Sequence, residues 1–219
     1  MNNPHQVTRD FEEALCSYTG APYAVAVNSC TMALLLAVKW HIKNHRWTVC
    51  EHMMARRSGK PVSIPKYTYI SVPMSIMHAD GYPEFRDDDW HGSYQLKPYP
   101  IWDSARWFTT DLWNILTKKD GGGMVCVSFH ASKTLGIEQG GAILHNYPEA
   151  DKWFRKARFD GRTEGVAPKD DMFDMIGYHC YLNPSTAAQG LLKLASLPRH
   201  NAPLPNSDYP DLSTMEIFK

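Results

Sequence analysis

The sequence has no apolar run long enough to cross a bilayer. Its longest, Met32 to Val38, falls far short of the roughly 20 residues a membrane-spanning helix needs. It has no excess of charge of either sign, with 23 Lys and Arg against 23 Asp and Glu. That balance excludes the broadly basic surface that grips nucleic acid or anionic lipid. Cysteine is scarce: the five residues Cys16, Cys30, Cys50, Cys126 and Cys180 are odd in number, scattered, and include no CxxC pair. They read as reduced thiols and not as a disulfide frame. No internal repeat or low-complexity block occurs, and Gly121-Gly122-Gly123 lacks both the spacing and the following Gly-Lys of a phosphate loop. Met1 to Asp10 carries no apolar signal-peptide core, which predicts a cytoplasmic protein.

What is present is ordinary globular composition: 219 residues, 43% apolar, 12% aromatic and 21% charged. A chain this long suits one large domain, or one and a half, and buries roughly 70% of its unfolded surface. Strand-like and helix-like segments alternate along it. Phe11 to Tyr18 reads as an amphipathic helix stopped by Gly20, Tyr23 to Val27 as a strand, and Thr31 onward as a helix whose polar, basic continuation runs through His45 to Arg57. Val62 to Pro65 and Tyr82 to Phe85 read as strands flanking a helix over Ile70 to His78. Ile101-Trp102, Met124 to Ser128 and Ala142 to Leu144 add further strands, with a helical segment at Asp111 to Thr117. Helices follow Pro148 to about Arg158 and run from Thr186 to Leu197, and the proline-rich end from Pro198 reads as an extended arm. This order predicts an α/β fold with a mostly parallel central sheet flanked by helices.

Parallel sheets bind ligands beyond the carboxyl ends of their strands, so strand-to-helix junctions are where chemistry is sought. Asn28-Ser29-Cys30-Thr31 offers hydroxyls and unpaired amides at a helix start, either as a phosphate cradle or as a simple N-cap. Asp103, after Ile101-Trp102, reads either as a ligand-facing carboxylate or as a turn former. Ser128-Phe129-His130-Ala131-Ser132-Lys133 ends a buried strand on a lysine, which is either a surface charge or an amine nucleophile tuned by burial. His41 and His45, with Cys50 and His52, have metal-ligand spacing, but Lys43, Arg46, Arg56 and Arg57 around them favour a solvated basic face. No metal site is assigned.

Taken in order, these segments resemble the DegT/StrS-type sugar aminotransferases, enzymes of the fold-type I group that use pyridoxal phosphate. Phe11-Glu12-Glu13 through Tyr18-Thr19-Gly20, with Tyr23 through Asn28-Ser29-Cys30-Thr31-Met32-Ala33-Leu34, resembles the family's opening helix, strand and NSGT-A-L motif. Pro65-Lys66-Tyr67-Thr68-Tyr69 resembles its P-x-Y-T-aromatic segment, Asp103-Ser104-Ala105 its D-A-A segment, and Ser128 to Lys133 its S-F-H-x-x-K motif. Gly140-Gly141-Ala142, Gly177-Tyr178-His179 and Ala187-Ala188-Gln189-Gly190-Leu191 follow in the same order.

The resemblance implies a PLP-binding large domain over residues 1–197 and an extended tail over 198–219, with the family's small C-terminal domain largely absent. It implies that Lys133 binds the cofactor as a Schiff base and shuttles a proton, while Asp103 keeps the pyridine nitrogen protonated. It implies that Tyr69 stacks on the ring and that Ser29, Cys30, Thr31 and Ser128 hold the phosphate. His130 belongs to the motif but receives no catalytic step. Several positions depart from the family, among them Glu138-Gln139-Gly140-Gly141 in place of its G-E-G-G segment. Arg106 stands where a Gln or His faces the cofactor's phenolic oxygen, Cys30 replaces a glycine, and His179 replaces an asparagine that reaches the phosphate of the neighbouring subunit. Tyr181 stands where the family has an arginine.

The implied protein is a homodimer with shared active sites. It moves an amino group from an amino acid, glutamate or glutamine, to a keto sugar carried on a nucleotide. The retained lysine argues against the family's dehydratase branch. The alternatives are a non-catalytic remnant that binds PLP or a nucleotide sugar, and a PLP enzyme acting on a non-sugar substrate.

Overall fold

A computed structural model describes residues 5–44, 59–205 and 207–219. The polar continuation expected after residue 44, including His45, Cys50 and His52, lies outside the described residues. Helix α1 (Gln6–Thr19) buries Thr8, Phe11, Glu12, Leu15 and Thr19, the spacing that puts one face on a core. It ends at Gly20, whose φ of 77° is a left-handed conformation that glycine adopts without strain. The helix starts at Gln6, ahead of the expected Phe11, because its first turn is polar and no capping side chain marks it. Strand β1 (Tyr23–Val27) and helix α2 (Cys30–Asn44) follow, and α2 buries every residue from Ala33 to Val38.

Strands β2 (Lys60–Pro65) and β3 (Gly81–Arg86) pair in parallel across helix α3 (Ser71–His78). Strands β4 (Tyr94–Gln95) and β5 (Ile101–Asp103), helix α4 (Leu112–Thr117), and strands β6 (Met124–Ser128) and β7 (Gly141–His145) complete the main sheet. Helices α5 (Pro148–Ala157) and α6 (Pro184–Ser196) close the chain's body. Asn183 caps α6 by accepting from the Ser185 amide at 2.9 Å.

The main sheet runs β1-β7-β6-β5-β4, and here the expectation of a mostly parallel sheet is corrected. Within it only β5 and β6 pair in parallel, whereas β1 with β7, β7 with β6, and β4 with β5 are antiparallel. Strand direction follows the connection. The β5-to-β6 link carries α4 as a crossover, but the segment between β6 and β7 holds no helix, so β7 returns antiparallel. The misreading has a physical origin. β6 and β7 are buried along their whole length, with Met124, Cys126 and Ile143 facing one core and Val125, Ala142 and Leu144 facing the other. A strand covered on both faces reads as continuously apolar whatever its direction.

Since β7 is antiparallel to both neighbours, β1, β5 and β6 still point the same way. Their carboxyl ends, Val27, Asp103 and Ser128, therefore share one edge with the start of β7, as the pairs Val27 with Gly141 and Ser128 with Gly141 require. Gly141 makes that edge possible, for a Cβ there would stand 2.5 Å from the Cys30 amide nitrogen. The proline-rich end is not extended throughout, since Leu212–Thr214 and Glu216–Phe218 form short 3₁₀ helices, and the stretch before them is anchored. The Thr110 amide donates to the Arg199 carbonyl at 2.9 Å and the Trp107 indole to the Asn201 carbonyl at 3.0 Å. Farther along, Leu212 and Phe218 are buried.

Candidate active site

At this shared edge lies a cavity of about 550 Å³. Eight of the nine residues singled out from the sequence line it: Ser29, Cys30, Thr31, Tyr69, Asp103, Arg106, Ser128 and Lys133. The ninth, His179, lies elsewhere. Its ring is largely exposed and pairs with Asp160 at 2.8 Å, beside Tyr181. A single chain therefore does not bring His179 to the cavity.

Asp103 ends β5 and is 6% exposed. Its carboxylate accepts from the Ala105 amide at 2.9 Å and from the Tyr94 hydroxyl at 2.8 Å. The Tyr94 hydroxyl also shares a 2.6 Å hydrogen bond with the Thr68 hydroxyl. Burial pushes the Asp103 carboxyl above its ordinary range, and the two donors and the Lys133 charge offset this only in part. Lys133 is depressed below the ordinary lysine range, first by burial and then by the Arg106 cation. The cavity thus holds a buried carboxylate whose direct hydrogen-bond donors are neutral, and an amine that sheds its proton more readily than a surface lysine.

The α2 start serves as both a cap and a cradle. Ser29 Oγ accepts from the Met32 amide at 3.2 Å, an N-cap contact, while the Cys30 and Thr31 amides belong to a first turn that has no intrahelical acceptor. Thr31 Oγ lies 2.9 Å from Ser71 Oγ. The Cys30 thiol is held protonated by burial and by the Asp103 charge. These groups face the cavity with a helix dipole behind them, the electrostatics of an anion site.

The sequence reading missed several residues at the site. Tyr94, buried behind Asp103, sits on a two-residue strand, and only its register opposite Asp103 makes it a donor to that carboxylate. Trp90, Ser207, Asp208 and Tyr209 line the cavity, the last three from the C-terminal arm. Tyr209 stacks with Trp90 at 6.3 Å between centroids. Arg106, expected to face a cofactor oxygen, is instead engaged by the arm: Nη1 donates to Ser207 Oγ at 3.0 Å and Nη2 to the Pro205 carbonyl. Proline spacing revealed an extended arm, but no local signal tells where such an arm lands.

Among solved structures, the chain is similar to PseC of Helicobacter pylori, an aminotransferase involved in pseudoaminic acid biosynthesis, at 16% identity and a TM-score of 0.63, covering 90% of this chain and 64% of that one. It is similar to the sugar aminotransferase CalS13 of Micromonospora echinospora at 17% identity and 0.65, covering 87% and 60%. It is also similar to a DegT DnrJ EryC1 StrS aminotransferase of Brucella abortus at 20% and 0.60, covering 87% and 58%. These likenesses establish the fold, and the chain spans about three-fifths of the length of those structures. No curated protein matches it. The model of the DegT/DnrJ/EryC1/StrS aminotransferase family matches residues 3–102 and 117–203, most of the sequence. The chain belongs to the DegT/DnrJ/EryC1/StrS aminotransferase family.

Proposed function

We propose that this chain is a pyridoxal-phosphate-dependent aminotransferase that passes an amino group from an amino acid, glutamate or glutamine, to a keto sugar, nucleotide-linked in the fullest form of the reading. The observation that carries it is the placement of Lys133 and Asp103 on one cavity with opposite electrostatic needs. The donor set fits the cofactor on chemical grounds. Asp103, desolvated and bonded to neutral donors, suits a ring cation; Lys133 suits a carbonyl; the α2 start suits a phosphate. When bound, pyridoxal phosphate supplies a carbonyl that condenses with amines and a ring that accepts the electron pair freed at the substrate carbon.

The chain's own residues do the rest. Asp103 holds the proton on the ring nitrogen, its position fixed by the Ala105 amide and the Tyr94 hydroxyl. Ser128, Cys30 and Thr31 orient the phosphate end, and Tyr69, 58% exposed, offers its ring face. Lys133 gives up its proton to act as a nucleophile and later moves a proton at the reacting carbon.

Residues 1–197 form the cofactor-binding domain in this reading, and residues 198–219 form the arm. His179 works in the partner's site of a homodimer, which accounts for its place on the surface. A cytoplasmic location belongs to the same reading; among the described residues, no helix is long and apolar enough to cross a membrane. One observation favours a non-catalytic cofactor-binding remnant as the second reading: the arm already holds Arg106.

The test is borohydride reduction of the purified protein mixed with the cofactor, followed by peptide mapping. The expected result is a reduced adduct on Lys133, lost in Lys133→Ala, with amino transfer from glutamate in the unreduced protein. An adduct without transfer selects a remnant that still binds the cofactor covalently, and no adduct at Lys133 overturns the aminotransferase reading in favour of a remnant that binds its ligand non-covalently.

A further inference from the structure

The cavity is lined by one guanidinium, Arg106, among the described residues, and its bonding is incomplete. Two of its three nitrogens are capped by the arm, at Ser207 Oγ and the Pro205 carbonyl. The third, Nε, is buried and has no acceptor among the described residues. A buried N–H left unpaired costs free energy, and a guanidinium satisfied by a neutral carbonyl and a hydroxyl is far from its best partner. Its best partner is a carboxylate, which engages Nε and one Nη side by side through two charge-assisted hydrogen bonds.

The arm crosses Arg106 between two anchors. Its near end is fixed by the Thr110 amide bonded to the Arg199 carbonyl, by the Trp107 indole bonded to the Asn201 carbonyl, and by the Leu204 amide bonded to the Arg106 carbonyl at 2.7 Å. Its far end is fixed by the Leu212 amide bonded to the Lys66 carbonyl, by Lys66 near Asp211 at 3.5 Å, and by buried Leu212 and Phe218. Between these anchors, Ser207 and Asp208 are exposed. They meet the body through the Ser207 contact to Arg106, beside Tyr209 stacked on Trp90.

We infer that Arg106 is the carboxylate receptor of this cavity, a specificity-determining residue for the amino donor, and that the Pro205 carbonyl and Ser207 hydroxyl of the arm hold its place until the carboxylate arrives. The incoming carboxylate takes Nη2 from the Pro205 carbonyl and supplies the missing acceptor for Nε. In turning to the carboxylate the guanidinium also leaves Ser207 Oγ, so two neutral contacts are exchanged for two charged ones. Pro205, Ser207 and Tyr209 are then released from the cavity mouth while both anchors stay in place. That the carboxylate belongs to an amino donor rests on the aminotransferase reading; the carboxylate chemistry rests on the guanidinium alone.

The test uses the full chain without cofactor and glutarate as the probe, a dicarboxylate with no amine to transfer. Calorimetry is expected to show saturable binding, and hydrogen exchange at the Ser207, Asp208 and Tyr209 amides is expected to quicken as glutarate is added. Arg106→Gln abolishes the saturable binding. Ser207→Ala, which removes one competitor and leaves the guanidinium intact, tightens glutarate about three- to tenfold. A residue that merely clips the arm down would not produce that tightening. Unchanged or weaker glutarate binding in Ser207→Ala overturns the inference, as does full affinity in Arg106→Gln. Because neither readout involves the cofactor or Lys133, loss of the Lys133 adduct, which overturns the aminotransferase reading, leaves this result legible.

Discussion

Two buried carboxylates, Glu12 and Asp103, are treated in opposite ways by the same fold. Glu12 is 3% exposed, on the inner face of α1, and is surrounded by opposite charge. It accepts from Arg158, from Arg155 at 2.8 Å and from the Ala26 amide at 2.8 Å, while Glu164 bonds Arg158 at 3.4 Å and Arg9 at 3.1 Å. Burial by itself would raise its carboxyl, but the two guanidinium groups and the amide hold it below the ordinary range. Asp103 is as deeply buried and bonds only neutral donors, so burial prevails and its carboxyl is raised. The difference separates a charge that ties α1, β1 and α5 together from one that, in the proposed function, a bound ring cation neutralises. Desolvated carboxylates without a charged partner concentrate at functional sites.

The sharpest way to break this contrast is Glu12→Ala. It leaves Arg158, 2% exposed, without its main counter-charge, and removing one partner of a buried pair costs about 3–5 kcal/mol. Denaturant unfolding measures it, and a loss below about 1 kcal/mol, the scale of an exposed pair, would show the cluster to be ornamental. Protonation acts in the same direction. Since the folded Glu12 has a lowered pKa, its stabilisation is present above the unfolded value of 4.5 and fades as the pH falls through the folded one. The wild type should therefore lose its advantage over Glu12→Gln in acid.

Asp103→Asn should do the reverse. The folded Asp103 binds its proton more tightly than the unfolded one, so between 3.8 and its raised value stability falls as the pH rises. Replacing it removes an uncompensated buried charge, and the cofactor-free protein is expected to gain about 0.5–2 kcal/mol at neutral pH. The same variant should retain the cofactor adduct on Lys133 but slow the amino-transfer half-reaction, measured by stopped flow. If Asp103→Asn instead lowers stability and leaves the half-reaction unchanged, Asp103 belongs beside Glu12 as a structural charge.

How much of this was legible beforehand differs between the two regions. The α1 stripe of Phe11, Leu15 and Thr19 and the β1 run were readable because they are local periodicities. The candidate site residues stood out as short motifs, and eight of nine converge on one cavity. Sheet direction was not, since β6 and β7 are apolar on both faces and only the helix-free link between them reveals the turn back. The Glu12 cluster escaped for another reason: its partners Arg155 and Arg158 lie 143 and 146 residues away in sequence, and nothing local marks them as a group. The arm contacts of Arg106 and the place of Tyr94 were hidden in the same way. One depends on where an arm lands, the other on a strand register.

The finest test of the contrast is Tyr94→Phe. The ring stays to fill its place between Trp90 and Asp103, while one of the two neutral donors to the carboxylate disappears and Thr68 Oγ loses its partner. Two effects with different pH dependence should follow. Loss of the Thr68 contact costs a roughly constant amount, about 1 kcal/mol, at all pH values. Loss of the donor to Asp103 pushes that carboxyl still higher, so the range over which stability falls with rising pH extends upward, and the variant's deficit grows as the pH rises through that range. Repeating the measurement in an Asp103→Asn background removes the titrating group and should leave only the constant part. If the deficit stays flat with pH in both backgrounds, Tyr94 does not tune Asp103, and the carboxyl is governed by burial alone.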